Sequence, residues 1–198
     1  MSVGGERARA AAYTPGMLFD PRRLVHVHPG TDVPGVVNCI IEIPKGKRNK
    51  YEIDKKTGFI KLDRYLYSAS HYPGDYGLIP QTLADDADPL DILVMVNEPT
   101  FSGCLIEARI VGGFKMLDRG AGDYKVLAVP NSDPLFAEFQ DLDDVPKHFL
   151  REVEHFFVSY KQLEGVTIEP QGWDHKEAAI EVVRSSIRSF TEARIGKR

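Results

Sequence analysis

Four carboxylates crowd into seven residues at Asp85-Asp86-Ala87-Asp88-Pro89-Leu90-Asp91, and the stretch runs straight into the apolar Ile92-Leu93-Val94-Met95-Val96. No Lys or Arg lies between Arg64 and Arg109, so no cation close in sequence neutralises these acids. Carboxylates this close raise one another's pKa or recruit a cation. Hard oxygen ligands in a Pro-containing loop suit Mg²⁺, which takes a few carboxylates and keeps water for a phosphate ligand. A solvated acidic turn is the competing reading, and on this stretch alone both stand. An EF-hand does not: position six counted from Asp86 is Asp91 rather than Gly, and position twelve is Asn97 rather than Glu. A second acidic, Gly-rich segment runs Asp118-Arg119-Gly120-Ala121-Gly122-Asp123-Tyr124-Lys125. It also enters an apolar run, with a Lys just inside, and two such segments are more specific than one.

The chain of 198 residues is long enough for one domain with extensions and a real core. A hydrophobic fraction of 42% with 27% charged residues places it among ordinary globular proteins. The formal net charge of -4 argues against a general nucleic-acid binder, which needs a basic footprint. It leaves room for a small anion held by a local cluster of bases. Cys39 and Cys104 sit in apolar runs and read as buried thiols of a cytosolic protein. No leader-like h-region and no stretch of about 20 apolar residues is present, so the expected address is cytoplasmic and no membrane is expected as a partner.

The elements that must position these residues follow from pattern. Residues 1–35 are rich in Gly, Pro, Ala and Arg without a period, and read as a loose extension. His26 and His28 have the spacing of a metal pair, although most such histidines are surface residues. Residues 36–195 form the organised domain. Val36 to Ile43 is strand-like, closed by Pro44, with Glu42 as a lone carboxylate near its end; pointing to water is its bland reading. After the basic loop Lys45 to Lys50, residues 50–54 and 59–64 read as a hairpin with Gly58 in the turn. Lys50, Glu52 and Asp54 then share one side of a strand. Residues 65–84, with Tyr65, Tyr67, Tyr72 and Tyr76, read as one long loop, which in a compact domain is often functional. Strands are expected at 91–96, 104–111 and 126–129. From Asp133 the period changes. Asp143 or Asp144 is placed to cap a helix of about 18 residues carrying Phe149, Val153, Phe156, Tyr160 and Leu163 on one stripe. Tyr160 there reads as a core residue and Lys161 as a C-terminal dipole partner. Asp174-x-x-Glu177 resembles a capping box for a second helix through Ala179, Val183, Ile187 and Phe190. Five to seven short strands followed by two helices give an α+β fold.

The stretch Asp86-Ala87-Asp88-Pro89-Leu90-Asp91-Ile92 resembles the signature of the family I soluble inorganic pyrophosphatases. The likeness extends, in the family's order, through Glu42-Ile43-Pro44, Lys50-Tyr51-Glu52-Ile53-Asp54-Lys55, Asp63-Arg64, Tyr72-Pro73 with Tyr76-Gly77, Lys115-Met116 with Asp118, Asp123 with Lys125, and Tyr160-Lys161. It covers about residues 36 to 190. Ala87 departs from it, since the family usually has Gly or a small polar residue there; lying between two ligands, it is expected to matter little. The resemblance implies a five-stranded OB-like β-barrel with two main flanking α-helices, the domain 36–195 being catalytic. It implies hydrolysis of pyrophosphate to two orthophosphates with several Mg²⁺ ions, Mn²⁺ being a possible substitute. By similarity Asp86, Asp91 and Asp123 hold the two ions sharing the attacking water, Asp118, with Asp123, serves the substrate-bound ions, and Glu42 supports that side. Asp88 looks like the base. Lys50, Arg64, Tyr76, Lys125, Tyr160 and Lys161 look like the phosphate contacts. Bacterial members are commonly hexamers, so a homo-oligomer is expected.

The chemistry is coherent by itself. Pyrophosphate is a polyanion whose hydrolysis needs its charge neutralised and a nucleophile placed in line. A carboxylate-rich wall facing a cation-rich wall supplies both. A nucleic-acid-binding barrel would need a basic groove with exposed stacking aromatics, whereas these tyrosines share their loop with Asp75 and precede the acidic run. A catalytically dead scaffold would have lost at least one matched residue, and none is lost.

Overall fold

The computed structural model describes residues 27–54 and 57–195. His26, one of the two histidines above, lies outside them. Eight strands are formed among the described residues: β1 Val36–Ile43, β2 Asn49–Ile53, β3 Ile60–Tyr65, β4 Asp75–Leu78, β5 Asp91–Val94, β6 Leu105–Asp118, β7 Ala121–Pro130 and β8 Ile168–His175. Two helices follow the sequence's late change of period, α1 Lys147–Ser159 and α2 Lys176–Ile195.

Five strands close on themselves. β1 pairs with β4, β4 with β5, β5 with β7 in parallel, β7 with β6, and β6 returns to β1. Closure leaves this ring without an open edge. The ring with its two helices is the OB-like α+β architecture expected from the resemblance. β6 can serve two partners because it runs for 14 residues and shifts register between Ile110 and Gly112. Its first half pairs with β1 and its second half with β8. β2 and β3 form a separate hairpin in which Lys50 faces Arg64.

Alternation along the strands sorts the core. Ile92, Val94, Val126 and Ala128 join an aliphatic cluster that Ala179 and Val183 of α2 complete. Leu93, Leu127 and Val129, the intervening residues, join a second cluster with Val153, Phe156 and Phe157 of α1. The second is largely aromatic: Tyr72, Tyr76, Phe114, Phe156, Phe157 and Tyr160 form a chain of ring contacts with centroids 4.7 to 6.1 Å apart.

Four expectations need correction. Residues 65–84 are not one loop, because Asp75–Leu78 is the fully buried strand β4. Its pattern is hidden by Gly77, where a Cβ would lie 2.0 Å from the Ile40 carbonyl oxygen: β1 comes too close for any side chain. Asp75 is buried in exchange for three hydrogen bonds, from Lys45 N (2.8 Å), Thr100 N (3.0 Å) and Thr100 Oγ1 (2.6 Å). The second acidic segment is not a turn that precedes a strand at 126 either, since β7 already begins at Ala121. β6 and β7 meet through Arg119 (φ 52°) and Gly120 (φ 81°), a two-residue turn with both φ angles positive. Asp123 and Lys125 therefore lie inside β7 rather than before it. The first helix spans 13 residues rather than about 18, with Gln162–Glu164 forming a separate short 3-10 turn. Finally, neither Asp143, Asp144 nor Asp174 caps as expected. Asp141 caps a preceding 3-10 turn, Leu142–Asp144, and its Oδ1 also accepts from Lys176 N (2.9 Å) at the start of α2. Asp174 instead takes Lys115 Nζ at 2.6 Å.

Candidate active site

Asp91 opens β5, and the parallel register sets it directly beside Lys125 on β7. Asp123, two residues earlier on β7, projects to the same side. Lys125 Nζ consequently bridges both carboxylates, hydrogen-bonded to Asp91 and 2.6 Å from Asp123 Oδ1. The lysine is only 5% exposed and lies over the Tyr76 ring at 5.8 Å and the Phe157 ring at 6.0 Å. Burial alone would lower its pKa, but Asp91 and Asp123 overcome this and hold it above its ordinary value, so it is an ammonium. Burial pushes the Asp123 carboxyl up, with Lys125 opposing the shift. The two shifts pull the shared proton in opposite senses. Two carboxylates within reach of one ammonium favour the charged triad as a unit, so the lysine's direction is the one that governs.

A second ammonium repeats the arrangement. Asp118 ends β6, and its Oδ2 takes Lys161 Nζ at 2.5 Å from the end of the α1 segment. Its Oδ1 is buried with no hydrogen-bond partner. Lys161 Nζ lies 5.2 Å from the Tyr160 ring. Tyr160 is the C-cap of α1 and 6% exposed; burial first, then Asp123, Asp118 and Asp91, keep its hydroxyl protonated, with Arg64 opposing. Tyr76, on β4, is likewise raised by burial and then by Asp91.

The β2–β3 hairpin supplies the remaining cations. Lys50 is hydrogen-bonded to Glu52 and lies 3.5 Å from Asp63 Oδ2. Arg64 lies 4.0 Å from Asp63 and 3.5 Å from Glu164 Oε1, yet its Nε and Nη2 are buried without hydrogen bonds. Glu42 does not point to water. It is 8% exposed, and its Oε1 accepts from Ile53 N at 2.7 Å, which ties β1 to the hairpin. Burial pushes its carboxyl up to about 7, with Asp91 and Glu52 adding to the rise.

Asp85, Asp86 and Asp88 stand apart from this group. All three are exposed, on a loop shaped by its own polar groups. Asp86 Oδ1 accepts from Asp88 N (3.0 Å) and the Asp88 carbonyl from Ala84 N (2.8 Å). Between them Ala87 has φ 65°, a left-handed conformation that explains why Gly suits the position. A cleft of about 520 Å³ joins the two regions, lined among others by Asp86, Asp91, Lys115, Asp123 and Tyr124.

Thus Asp91, Asp118, Asp123, Lys125, Tyr160, Lys161 and Tyr76 are brought together, Glu42, Lys50 and Arg64 border them, Asp86 faces the group across the cleft, and Asp88 lies on the same exposed loop without lining it. Among the described residues no three acidic, His or Cys side chains are already arranged as a ligand set, because ammonium groups stand between the carboxylates. The donor set nevertheless suits a hard cation: carboxylates from three segments, one buried oxygen of Asp118 unspent, and an acidic loop opposite. Sequence reading missed Glu164 against Arg64, and Asp174 on Lys115. Neither has a local signal, since each is 59 or more residues from its partner or sits in a turn read as the end of a helix.

Comparison with known proteins agrees with this fold. The family described as "Inorganic pyrophosphatase" matches residues 39–191. An inorganic pyrophosphatase of Halalkalibacterium halodurans is 49% identical over 150 residues, covering 76% of this chain and 92% of that protein. One from Nostoc sp. is 48% identical over 162 residues, covering 82% and 96%. The crystal structure of the Thermus thermophilus inorganic pyrophosphatase superimposes with a TM-score of 0.81 at 44% identity, covering 83% of this chain and 97% of that one. With matches of this extent to a domain of this fold, the chain belongs to the family I inorganic pyrophosphatases.

Proposed function

We propose that this protein hydrolyses inorganic pyrophosphate to two orthophosphates and that it depends on Mg²⁺, with Mn²⁺ as a possible substitute. The observation that carries the reading is the pairing of unspent groups: a buried carboxylate oxygen on Asp118 and buried guanidinium N–H groups on Arg64, around one tyrosine. Buried polar atoms are normally hydrogen-bonded. A site with an acceptor and a donor both unspent suits a cation and an anion that arrive together.

Asp91, Asp118 and Asp123, with Asp86 and Glu42, are the residues that would hold the metal. Bound Mg²⁺ supplies charge neutralisation and lowers the pKa of water. Lys50, Arg64, Lys125 and Lys161 offset the substrate's charge, and the Tyr76 and Tyr160 hydroxyls orient phosphate oxygens. Lys125 and Lys161 release their carboxylates in doing so, exchanging one anionic partner for another. Asp88 accepts the proton of the attacking water. Residues 36–195 are the proposed catalytic domain and 1–35 an extension. A cytoplasmic address fits the free, buried thiol of Cys39. A homo-oligomer, with a hexamer favoured, rests on the family resemblance; light scattering of the purified protein tests this.

The functional test is phosphate release from pyrophosphate with Mg²⁺, with EDTA, and after Mg²⁺ is restored. Release that EDTA stops and Mg²⁺ restores is expected. No release at saturating Mg²⁺ refutes the reading.

A further inference from the structure

Arg64 and Glu164 make an unusual pair. Arg64 Nε and Glu164 Oε1 lie 3.5 Å apart, both atoms are buried, and neither has a hydrogen-bond partner. The Glu164 side chain is 15% exposed and that of Arg64 31%. The two are therefore held by charge without an aligned hydrogen bond. A guanidinium carries five N–H donors in a planar fork, so a carboxylate facing its Nε edge leaves the Nη edge open to a second, bidentate anion. Nη2 is in that state here, buried and unpartnered.

The position of Glu164 adds to this. It closes the short turn Gln162–Glu164 that begins at Lys161. Glu164 N donates to the Lys161 carbonyl (2.9 Å), as does Val166 N (3.2 Å), while Gly165 turns the chain with φ 72°. One rigid turn thus carries the ammonium that meets Asp118 and the carboxylate that meets Arg64. Asp63, the neighbour of Arg64 in sequence, is the competing anion at 4.0 Å.

We propose that Glu164 is a positioning residue, which holds the Arg64 guanidinium edge-on so that its free N–H groups face a phosphate of the substrate, and which registers the β2–β3 hairpin against the Lys161 turn. This rests on the pyrophosphatase reading and deepens it. Without the Glu164 charge, Asp63 competes for Arg64 and draws it from the site. Arg64 contacts phosphate in ground and transition states alike, so losing its orientation raises KM more than it lowers kcat.

The test uses the full-length Mg²⁺-loaded enzyme. Glu164→Gln is expected to raise KM for pyrophosphate about tenfold, equivalent to about 1.4 kcal/mol, with kcat within about twofold. Glu164→Asp keeps the charge and should recover part of the KM. In an Arg64→Lys background, which cannot copy the planar fork, Glu164→Gln should add little, because the two residues act as one unit. Wild-type KM in Glu164→Gln overturns the proposal, and so does an equal KM increase in both backgrounds. If Glu164→Gln does not fold, Glu164→Ala decides: a raised KM supports the role and a wild-type KM removes it. A wild-type enzyme that releases no phosphate defeats the functional reading instead, so the two failures are distinguishable.

Discussion

The two acidic segments use the same residue type under opposite conditions. In the loop at 85–88 the three aspartates are exposed, and their geometry comes from backbone N–H groups and a strained Ala87. In the β6–β7 hairpin, Asp118 and Asp123 are only 23% and 20% exposed and each is met by a lysine. Asp91 belongs to both, ending the loop and sharing Lys125 with the hairpin. Water can solvate the first set, whereas each member of the second has an ammonium built in beside it to offset its lost hydration. One segment is therefore a preset electrostatic frame and the other an accessible arm, a division that suits holding charge on one side and moving a proton on the other.

The largest effect should come from breaking the shared residue. Asp91→Asn should lower Mg²⁺ affinity and reduce turnover to near background, a loss beyond the roughly 100-fold that outer-shell changes cost. Near-normal turnover at low Mg²⁺ would show that the frame does not need it. Asp88→Asn touches the arm alone. A rate loss of about 10²–10⁴-fold is expected, the range for removing a general base, with Mg²⁺ affinity nearly unchanged by titration. If affinity collapses with activity, Asp88 is a ligand and the division between the segments fails.

Lys125→Met tests the frame without catalysis. It strands Asp91 and Asp123 beside each other, and breaking a buried pair costs about 3–5 kcal/mol. Because Asp91 is 31% exposed, the low end of about 3 kcal/mol is expected in denaturant unfolding with EDTA. Added Mg²⁺ should restore part of it by binding the folded state. Equal stability with and without the lysine would mean the carboxylates do not need a built-in cation.

Glu42 sharpens the contrast, being a buried carboxylate with a backbone N–H in place of a lysine. Its pKa rises on folding from 4.5 to about 7, so the folded state holds the proton more tightly. Its contribution is fully present below about 4.5 and is lost as pH rises through about 7. Metal-free protein should thus lose melting temperature across that window, and Glu42→Gln should flatten the slope. An identical slope in the variant places the titration elsewhere. The smallest change lies on the arm: Ala87→Gly relieves the left-handed φ and should stabilise by about 0.5–1 kcal/mol, read as a rise in the denaturant midpoint. A fall would show that loop entropy outweighs the strain.

Local rules carried much of this molecule. The β1, β5 and β7 runs are continuous apolar stretches because both of their faces are buried, and the stripe through Val153, Phe156 and Tyr160 is periodic because a helix buries one face. The acidic loop was legible from composition, and its likeness to a family named the remaining site residues. What local rules could not supply was set by closure of the ring. β4 was hidden because its Gly77 and Asp75 answer to a neighbouring strand and loop rather than to a strand's own preferences. The cap of α2 comes from Asp141, 35 residues away. Lys125 reads as one base after an acidic turn, but only the parallel register of β5 on β7 makes it the bridge between Asp91 and Asp123. Arg64 and Glu164, likewise, meet only when the hairpin and the end of α1 arrive at one place. Residue type and spacing determine which chemistry the chain can carry, since those follow from local structure. Which charges neutralise one another is a matter of distances across the fold, and burial then sets how strongly they do so.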